Sequence, residues 1–318
     1  MRRALAVDLG GTELRAAVVD DAGCIAAFAS TETDSGGGPD AVIAQILTLT
    51  SRVQAEAGGA APVGMGVAAP GPLDPAAGIA IAPPTLRGWQ DVPLAALLGA
   101  RLGLPVRIEN DANAAAVGEW RFGAGRGTRS MVFVTVSTGI GGGVIADGRL
   151  LHGRRGLAAE IGHMTVALGS DRALFGGAAG TWEALASATA LGREAERRAR
   201  GPEGERLRAL AAGGTVTARH AVAAAREGDE LARALIDEEA HLIGVGIVNL
   251  LHLYAPERVI VGGGLGAALD LMQDGIEATI RARALAPHRD VPVVAAALGR
   301  QAGLVGAASL VLDPPAAA

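Results

Sequence analysis

Ala4-Leu-Ala-Val-Asp8-Leu-Gly-Gly-Thr12 opens the chain on an apolar run that ends in a carboxylate, two glycines and a hydroxyl, ahead of a second apolar run from Leu14 to Val19. The same order recurs downstream as Met131 to Val136, then Ser137-Thr-Gly-Ile-Gly-Gly142, then Gly143 to Ala146. Each copy reads as a strand, a glycine turn carrying a hydroxyl, and a returning strand. Asp20-Asp-Ala-Gly23 and Asp147-Gly148 then close hairpins, the second being a favoured two-residue turn. A unit that occurs twice predicts two related α/β halves rather than one long sheet. Between the copies, periodicity predicts helices over 40–57 and 92–102, strands over 63–68 and 106–109, and a linking helix over 112–122. After residue 150 the order turns helical. A loop is expected over 153–161 and helices over 181–188, 216–226 and 229–254. A strand over 258–261 and a helix over 266–283 follow, and a last helix over 301–312 stops at Pro314-Pro315. The mixed charges of 194–208, around a Gly-Pro-Glu-Gly break, read as a solvated helical pair.

The 318 residues suit two domains, at about 150 residues each. Hydrophobic residues make up 50% but aromatics only 3%, so small aliphatic side chains must fill the cores. All 28 cationic side chains are arginine. With no lysine there is no Schiff base, no phosphate-loop lysine and no protein-kinase-type lysine. A net charge of -5 with interspersed signs offers no basic stripe for a nucleic acid backbone. A single cysteine, Cys24, makes neither an internal disulfide nor a multi-thiolate metal site. The Met-Arg-Arg start runs straight into a strand without a signal-peptide core, and the most apolar helical stretch, Leu242 to Tyr254, is too short to span a bilayer. The expectation is a cytoplasmic protein with no membrane or nucleic acid partner.

Asp8-Leu-Gly-Gly-Thr12 has the chemistry of a phosphate turn. Glycines 10 and 11 let backbone N–H groups approach anionic oxygens, Thr12 adds a donor, and Asp8 suits Mg²⁺ directly or through water. Its bland reading is a capped hairpin turn. Ser137 to Gly143 adds a second turn with Thr138, Gly139 and Gly141 exposed to an anion, and two such turns can hold a polyphosphate from both sides. A third, Gly262-Gly-Gly-Leu-Gly266, follows a strand and opens a helix. Its Gly262-x-Gly264-x-x-Ala267 spacing also fits a dinucleotide fingerprint. The acid expected about 20 residues on is met only by Asp290, so an adenine-side platform at Gly263 and Gly264 is the better reading. Glu109-Asn-Asp-Ala-Asn113 lies where a buried strand meets a helix. Either Asn110 or Asp111 caps that helix, or a carboxylate acts as general base beside an amide that orients a hydroxyl. Five polar-rich residues exceed what a cap needs. Glu160-Ile-Gly-His163 and Thr181-Trp-Glu183 add carboxylates and an imidazole suited to a polyhydroxylated ligand. Glu-x-x-His alone supplies too few ligands for zinc. His152, His220, His241, His252 and His288 have no supporting constellation and read as surface or satisfied core residues.

Taken in order, these motifs resemble the ROK family (bacterial repressors, open reading frames and sugar kinases) over nearly the whole chain. Asp8–Thr12 is similar to its first phosphate motif, Ser137–Gly142 to its second and Gly262–Gly264 to its adenosine-side turn. Pro70-Gly-Pro-Leu-Asp74 and Gly88-Trp-Gln-Asp-Val-Pro-Leu94 are similar to segments around its sugar cleft. The Glu109-Asn-Asp-Ala-Asn113 stretch and Glu160-x-Gly-His163 complete the set. The resemblance implies a two-domain actin-like ATPase (ribonuclease H-like) α/β fold with an interdomain cleft. Residues 1–112 plus 301–318 would form a smaller domain and 113–300 a larger one. It implies Asp111 as general base, with Asn110, Glu160, His163, Glu183 and Gly71 at the sugar. It also implies ATP and Mg²⁺ as cofactors and a homodimer. Two departures stand out. Where the family carries a Cys-x-Cys-Gly-x-x-Gly-Cys zinc run, this chain reads Leu174-Phe-Gly-Gly-Ala-Ala-Gly-Thr-Trp-Glu183, so no structural zinc is expected and packing around Phe175 and Trp182 would hold the loop. Thr85 stands where sugar kinases of the family often have asparagine.

The activity implied is an ATP-dependent hexose kinase, glucokinase-like, phosphorylating the C6 hydroxyl. An amino-sugar or cyclitol kinase, or a glucokinase using polyphosphate, keeps the fold and changes a substrate. A sugar-responsive transcriptional regulator would need a helix-turn-helix before the first phosphate motif, and only seven residues precede Asp8.

Overall fold

The computed structural model describes residues 1–174 and 177–313; Phe175 and the Pro314-Pro315 stop lie outside the described residues. The chain divides into two compact units, one of Met1–Arg129, Gly143–Ala159 and the segment from Arg300, the other of Ser130–Gly142 and Glu160–Gly299.

In the first unit β1 (Arg3–Leu9), β2 (Glu13–Asp20) and β3 (Ile25–Glu32) form an antiparallel meander. Helix α1 (Gly38–Ala57) returns the chain to β4 (Met65–Ala69), which lies parallel to β1. A small hairpin, β5 (Leu73–Asp74) and β6 (Ile79–Ala80), precedes α2 (Leu94–Leu102). Strand β7 (Val106–Asn110) then pairs parallel with β4, and α3 (Asp111–Phe122) follows without a loop. The sheet order is β3-β2-β1-β4-β7.

The strands alternate in size as well as in direction. Leu5, Val7 and Leu9 join a core with Val42, Ile43 and Ile46 of α1 and Leu94 and Leu98 of α2. Ala4, Ala6, Ala17 and Ala68 face the other way, against Ala114 of α3 and Leu304, Ala307 and Ala308 of the last helix. That alanine face lets the backbones close in. A Cβ on Gly306 would lie 1.7 Å from the Ala114 carbonyl oxygen, so only glycine fits there. The aromatic-poor composition is thus used as close helix-on-sheet packing.

Strand β8 (Met131–Val136) starts the second sheet, and β9 (Ile140–Ala146) begins in the second unit and ends in the first. Asp147 and Gly148, both at positive φ (49° and 77°), turn β9 into β10 (Arg149–Leu150) as the sequence expects. The helical region comprises α4 (Trp182–Ala186), α5 (Ala188–Ala199), α6 (Glu205–Ala211), α7 (Ala218–Arg226) and α8 (Glu230–Tyr254). Strand β11 (Arg258–Gly262) pairs parallel with β8, the short α9 (Gly263–Gly266) and α10 (Leu269–Arg283) follow, and β12 (Val293–Ala295) pairs parallel with β11. Helix α11 (Ala302–Leu312) closes the chain. The second sheet runs β10-β9-β8-β11-β12, the same meander-then-parallel order as the first. The duplicated motif therefore builds two α/β sheets of like topology.

One expected helix ends early. The helix expected over 181–188 stops at Ala186 because Ser187 takes an extended conformation and its hydroxyl accepts from the Ala190 N–H at 3.2 Å, capping α5 instead. Among the described residues no helix is long and apolar enough to cross a membrane.

Glu239 of α8 is buried, and its Oε1 has no hydrogen-bond partner among the described residues. Burial pushes its carboxyl well above the ordinary 4.5, against the weaker opposing pull of Arg172. Folding therefore takes up a proton here. Its contribution to stability is full below the ordinary value and is lost as pH rises through the elevated folded value. Glu239→Met removes that titration. The melting temperature of the variant relative to the parent should rise as the pH is taken upward from the ordinary carboxylate range, by scanning calorimetry.

Candidate active site

Strand register decides which site residues meet in the first unit. Asp8 of β1 stands opposite Ala68 of β4, and Ala68 opposite Glu109 of β7. Asp8 and Glu109 are thus two inter-strand steps apart, about 10 Å between backbones. Asn110 and Asp111 follow directly at the same carboxyl ends of parallel strands, where α/β sheets bind ligands.

Asp8 is 8% exposed. Burial pushes its carboxyl up from the ordinary value, opposed by the Arg15 guanidinium, which donates to Oδ2 from the facing position on β2. Arg15 also donates to the Arg300 carbonyl at 2.6 Å, and Arg300 donates to Glu13 at 2.6 Å. The turn after Asp8 is held from both ends: the Gly10 N–H donates to the Glu13 carbonyl at 2.9 Å, and the Thr33 hydroxyl donates to the Gly10 carbonyl at 2.8 Å. Thr12 is exposed. A Cβ on Gly11 would lie 2.6 Å from the Thr85 Cβ, so the turn packs on the residue that departs from the family pattern.

The Glu109–Asn113 cluster divides its labour. Asn110 is the cap of α3: its Oδ1 accepts from the N–H groups of Ala112 (2.9 Å) and Asn113 (3.2 Å). Its Nδ2 points toward Gly71, where a Cβ would lie 3.3 Å away. Glu109, 2% exposed, accepts at Oε1 from the Asn110 N–H (2.9 Å) and the Asn113 side chain (3.0 Å). Its Oε2 accepts from His152 Nε2 at 2.7 Å. The expectation that His152 lacks a supporting constellation is therefore wrong; its partner lies too far along the chain for a local pattern to show it. This bond raises the pKa of the His152 imidazole, with burial opposing. Asp111, the first helical residue, is exposed, and its Oδ1 accepts from the Ala112 N–H at 2.8 Å.

The second unit gathers the remaining residues around Glu183. Its Oε2 accepts from the Ile140 N–H at 2.9 Å. A Cβ on Gly139 would fall 2.2 Å from that same oxygen, so the turn of Thr138, Gly139 and Gly141 can approach it only without a side chain at 139. The Thr189 hydroxyl donates to the Thr138 carbonyl at 2.7 Å. The Glu160–His163 turn closes with the His163 N–H on the Glu160 carbonyl at 3.1 Å, and a Cβ on Gly162 would lie 3.4 Å from the Glu183 Cβ. Glu160 and His163 are exposed. Register pairs Gly262 with Thr135, and a Cβ on Gly264 would lie 3.8 Å from the Ser137 Oγ, so Gly263 and Gly264 border the second phosphate turn.

Trp182 anchors this loop. It is fully buried, its indole N–H donates to the Leu242 carbonyl at 3.0 Å, and a Cβ on Gly246 would overlap its ring at 1.9 Å. Leu174 packs with Ala184 and Ala190. The other histidines serve locally: His220 in the cap of α7, His241 against Thr279, and His252 as acceptor of the Leu285 N–H beside His288.

A ROK family model matches residues 4–314. The glucokinase of Streptomyces coelicolor is 38% identical over 317 residues, covering 98% of each chain. The glucokinase of Thermotoga maritima is 34% identical over 311 residues, covering 97% of each. Among solved structures, a ROK family glucokinase from Streptomyces griseus, in complex with glucose and AMPPNP, superposes with a TM-score of 0.84 at 35% identity, over 97% of this chain and 98% of that one.

The capping role of Asn110 predicts its own variants. Asn110→Asp keeps the cap and holds stability, whereas Asn110→Ala should cost about 1 kcal/mol in urea unfolding.

Proposed function

The chain belongs to the ROK family, and from that premise we propose that it is an ATP-dependent hexose kinase transferring the γ-phosphate to the C6 hydroxyl of glucose. The observation that carries this reading is the shared sheet end of Asp8 and Asn110-Asp111. A phosphate turn and a candidate base at that spacing suit transfer between a nucleotide and an alcohol.

In this reading Asp111 accepts the hydroxyl proton as the oxygen attacks phosphorus. Phosphoryl transfer has a loose transition state, so positioning and charge stabilisation outweigh strong base chemistry. Asn110 Nδ2, Gly71, Glu160, His163 and Glu183 hold sugar hydroxyls. Backbone N–H groups and hydroxyls of Gly10, Gly11, Thr12, Thr138, Gly139 and Gly141 take the phosphates, and Gly263 and Gly264 border the adenosine. Glucose over an amino sugar or cyclitol is a matter of which hydroxyls these groups satisfy, because an unpaired buried donor discriminates strongly.

Asp8 fits Mg²⁺ by the chemistry of its donor, a hard oxygen at a strand end beside a hydroxyl. Arg15 already engages Oδ2, which favours contact through water. Asp8 would hold the ion, which would supply neutralisation of phosphate charge; the residues of this chain do the orienting.

Asp111→Asn tests the assignment. Turnover of glucose with ATP should fall by at least ~100-fold, while glucose binding, followed by calorimetry, stays close to that of the parent. Near-parental turnover removes Asp111 from the mechanism. The same assay run over ATP and polyphosphate, and over hexoses and aminohexoses, fixes donor and acceptor.

A further inference from the structure

We infer that His152 is a positioning residue, holding the Asn110-Asp111 turn in its working geometry through the buried Glu109 carboxylate. The inference rests on the kinase reading above for what the turn does, and on geometry alone for how it is held.

Glu109 is 2% exposed, and a carboxylate so buried must be matched by donors. It has three: the Asn110 N–H and the Asn113 amide on Oε1, and His152 Nε2 on Oε2. The first two belong to the turn itself, at the cap and in the first turn of α3. They engage Oε1 alone and leave Oε2 to a donor from outside the turn. Among the described residues, only His152 comes from elsewhere in the chain. Strand pairing of Ala68 with Glu109 and Ala69 with Asn110 places the backbone, and His152 adds a side-chain anchor for the carboxylate from outside the turn.

His152 is suited to that task. Its backbone is pinned by the Leu151 N–H on the Val144 carbonyl (2.8 Å) and by the Ala158 N–H on the His152 carbonyl (3.0 Å). The loop it begins is therefore closed at its base, and Glu160 follows two residues after the closing bond. A side chain that is 37% exposed has no need of a buried partner for its own sake. The demand comes from Glu109. The pinned loop of His152 thus fixes Glu109, Glu109 fixes Asn110 and Asn113, and these present Asp111. Misplacement of a base by about 1 Å can cost up to ~100-fold in rate, so a small loss of order here reaches chemistry before it reaches stability.

His152→Ala and His152→Gln separate positioning from mere structure. Gln can offer its amide N–H where the imidazole offered Nε2–H. The expected result for His152→Ala is a fall in kcat of about tenfold, a glucose dissociation constant within about threefold of the parent, and faster hydrogen exchange over residues 109–113. His152→Gln should restore most of the kcat and the protection. Protection over 109–113 that stays at the parental level in His152→Ala overturns the inference, as does a kcat within about twofold of the parent, whatever the melting temperature does. The exchange measurement needs no turnover. Should the parent phosphorylate no hexose, the kinase reading fails while the exchange result still decides the role of His152. Should Asp111→Asn abolish turnover with His152→Ala unaffected, the reading stands and this inference falls.

Discussion

The register of three parallel strands is the constraint on which the first unit depends. Pairing Asp8 with Ala68, and Ala68 with Glu109, sets where the turn after Asp8 lies relative to the turn that carries Asp111. A slip of one residue would reverse every side chain in β4. The leucine-valine core against α1 and α2 and the alanine face against α3 and α11 would then be exchanged. Because the two faces differ so much in size, the slip is penalised on both. The packing that makes the sheet stable is therefore also what sets the spacing of the chemistry.

Small side chains recur wherever a backbone must come close. Gly306 admits α3 against α11, Gly139 admits Glu183 to the second phosphate turn, and Gly246 admits the ring of Trp182. The last case bears on a departure from the family. Where the family resemblance leads one to expect a thiolate run, the loop before Glu183 ends on an indole sunk into α8 and hydrogen-bonded to a helix carbonyl. A ring of that area, fully removed from water, contributes about 2–3 kcal/mol, and its fixed direction sets where the next residue, Glu183, begins.

Much of this was legible in the sequence because it is local. Asp147-Gly148 names its own turn, the two strand–glycine–strand copies name two sheets, and Asn110 stands where a cap belongs. What was not legible depends on contacts across the chain. Ser187 reads as part of the last turn of a helix over 181–188 until its hydroxyl is seen capping α5. His152 shows no pattern with its neighbours, since its partner lies 43 residues away. The surplus of polar residues in Glu109–Asn113 was visible, but not its division of labour. Glu109 and Asn113 hold the turn, whereas the sequence alone offered either carboxylate as a base.

The absence of lysine has its sharpest consequence at Asp8. Arg15 serves two acceptors at once, the Asp8 carboxylate and the Arg300 carbonyl, and Arg300 in turn reaches Glu13. A guanidinium does this with donors fixed in one plane, whereas an ammonium would set three rotatable donors around a point charge with no fixed fork. Arg300 is the residue at which the chain re-enters the first unit before α11. The network therefore ties the phosphate turn to the segment that completes its own sheet. The Asp8 carboxylate is thus held by a bridge fastened at both ends.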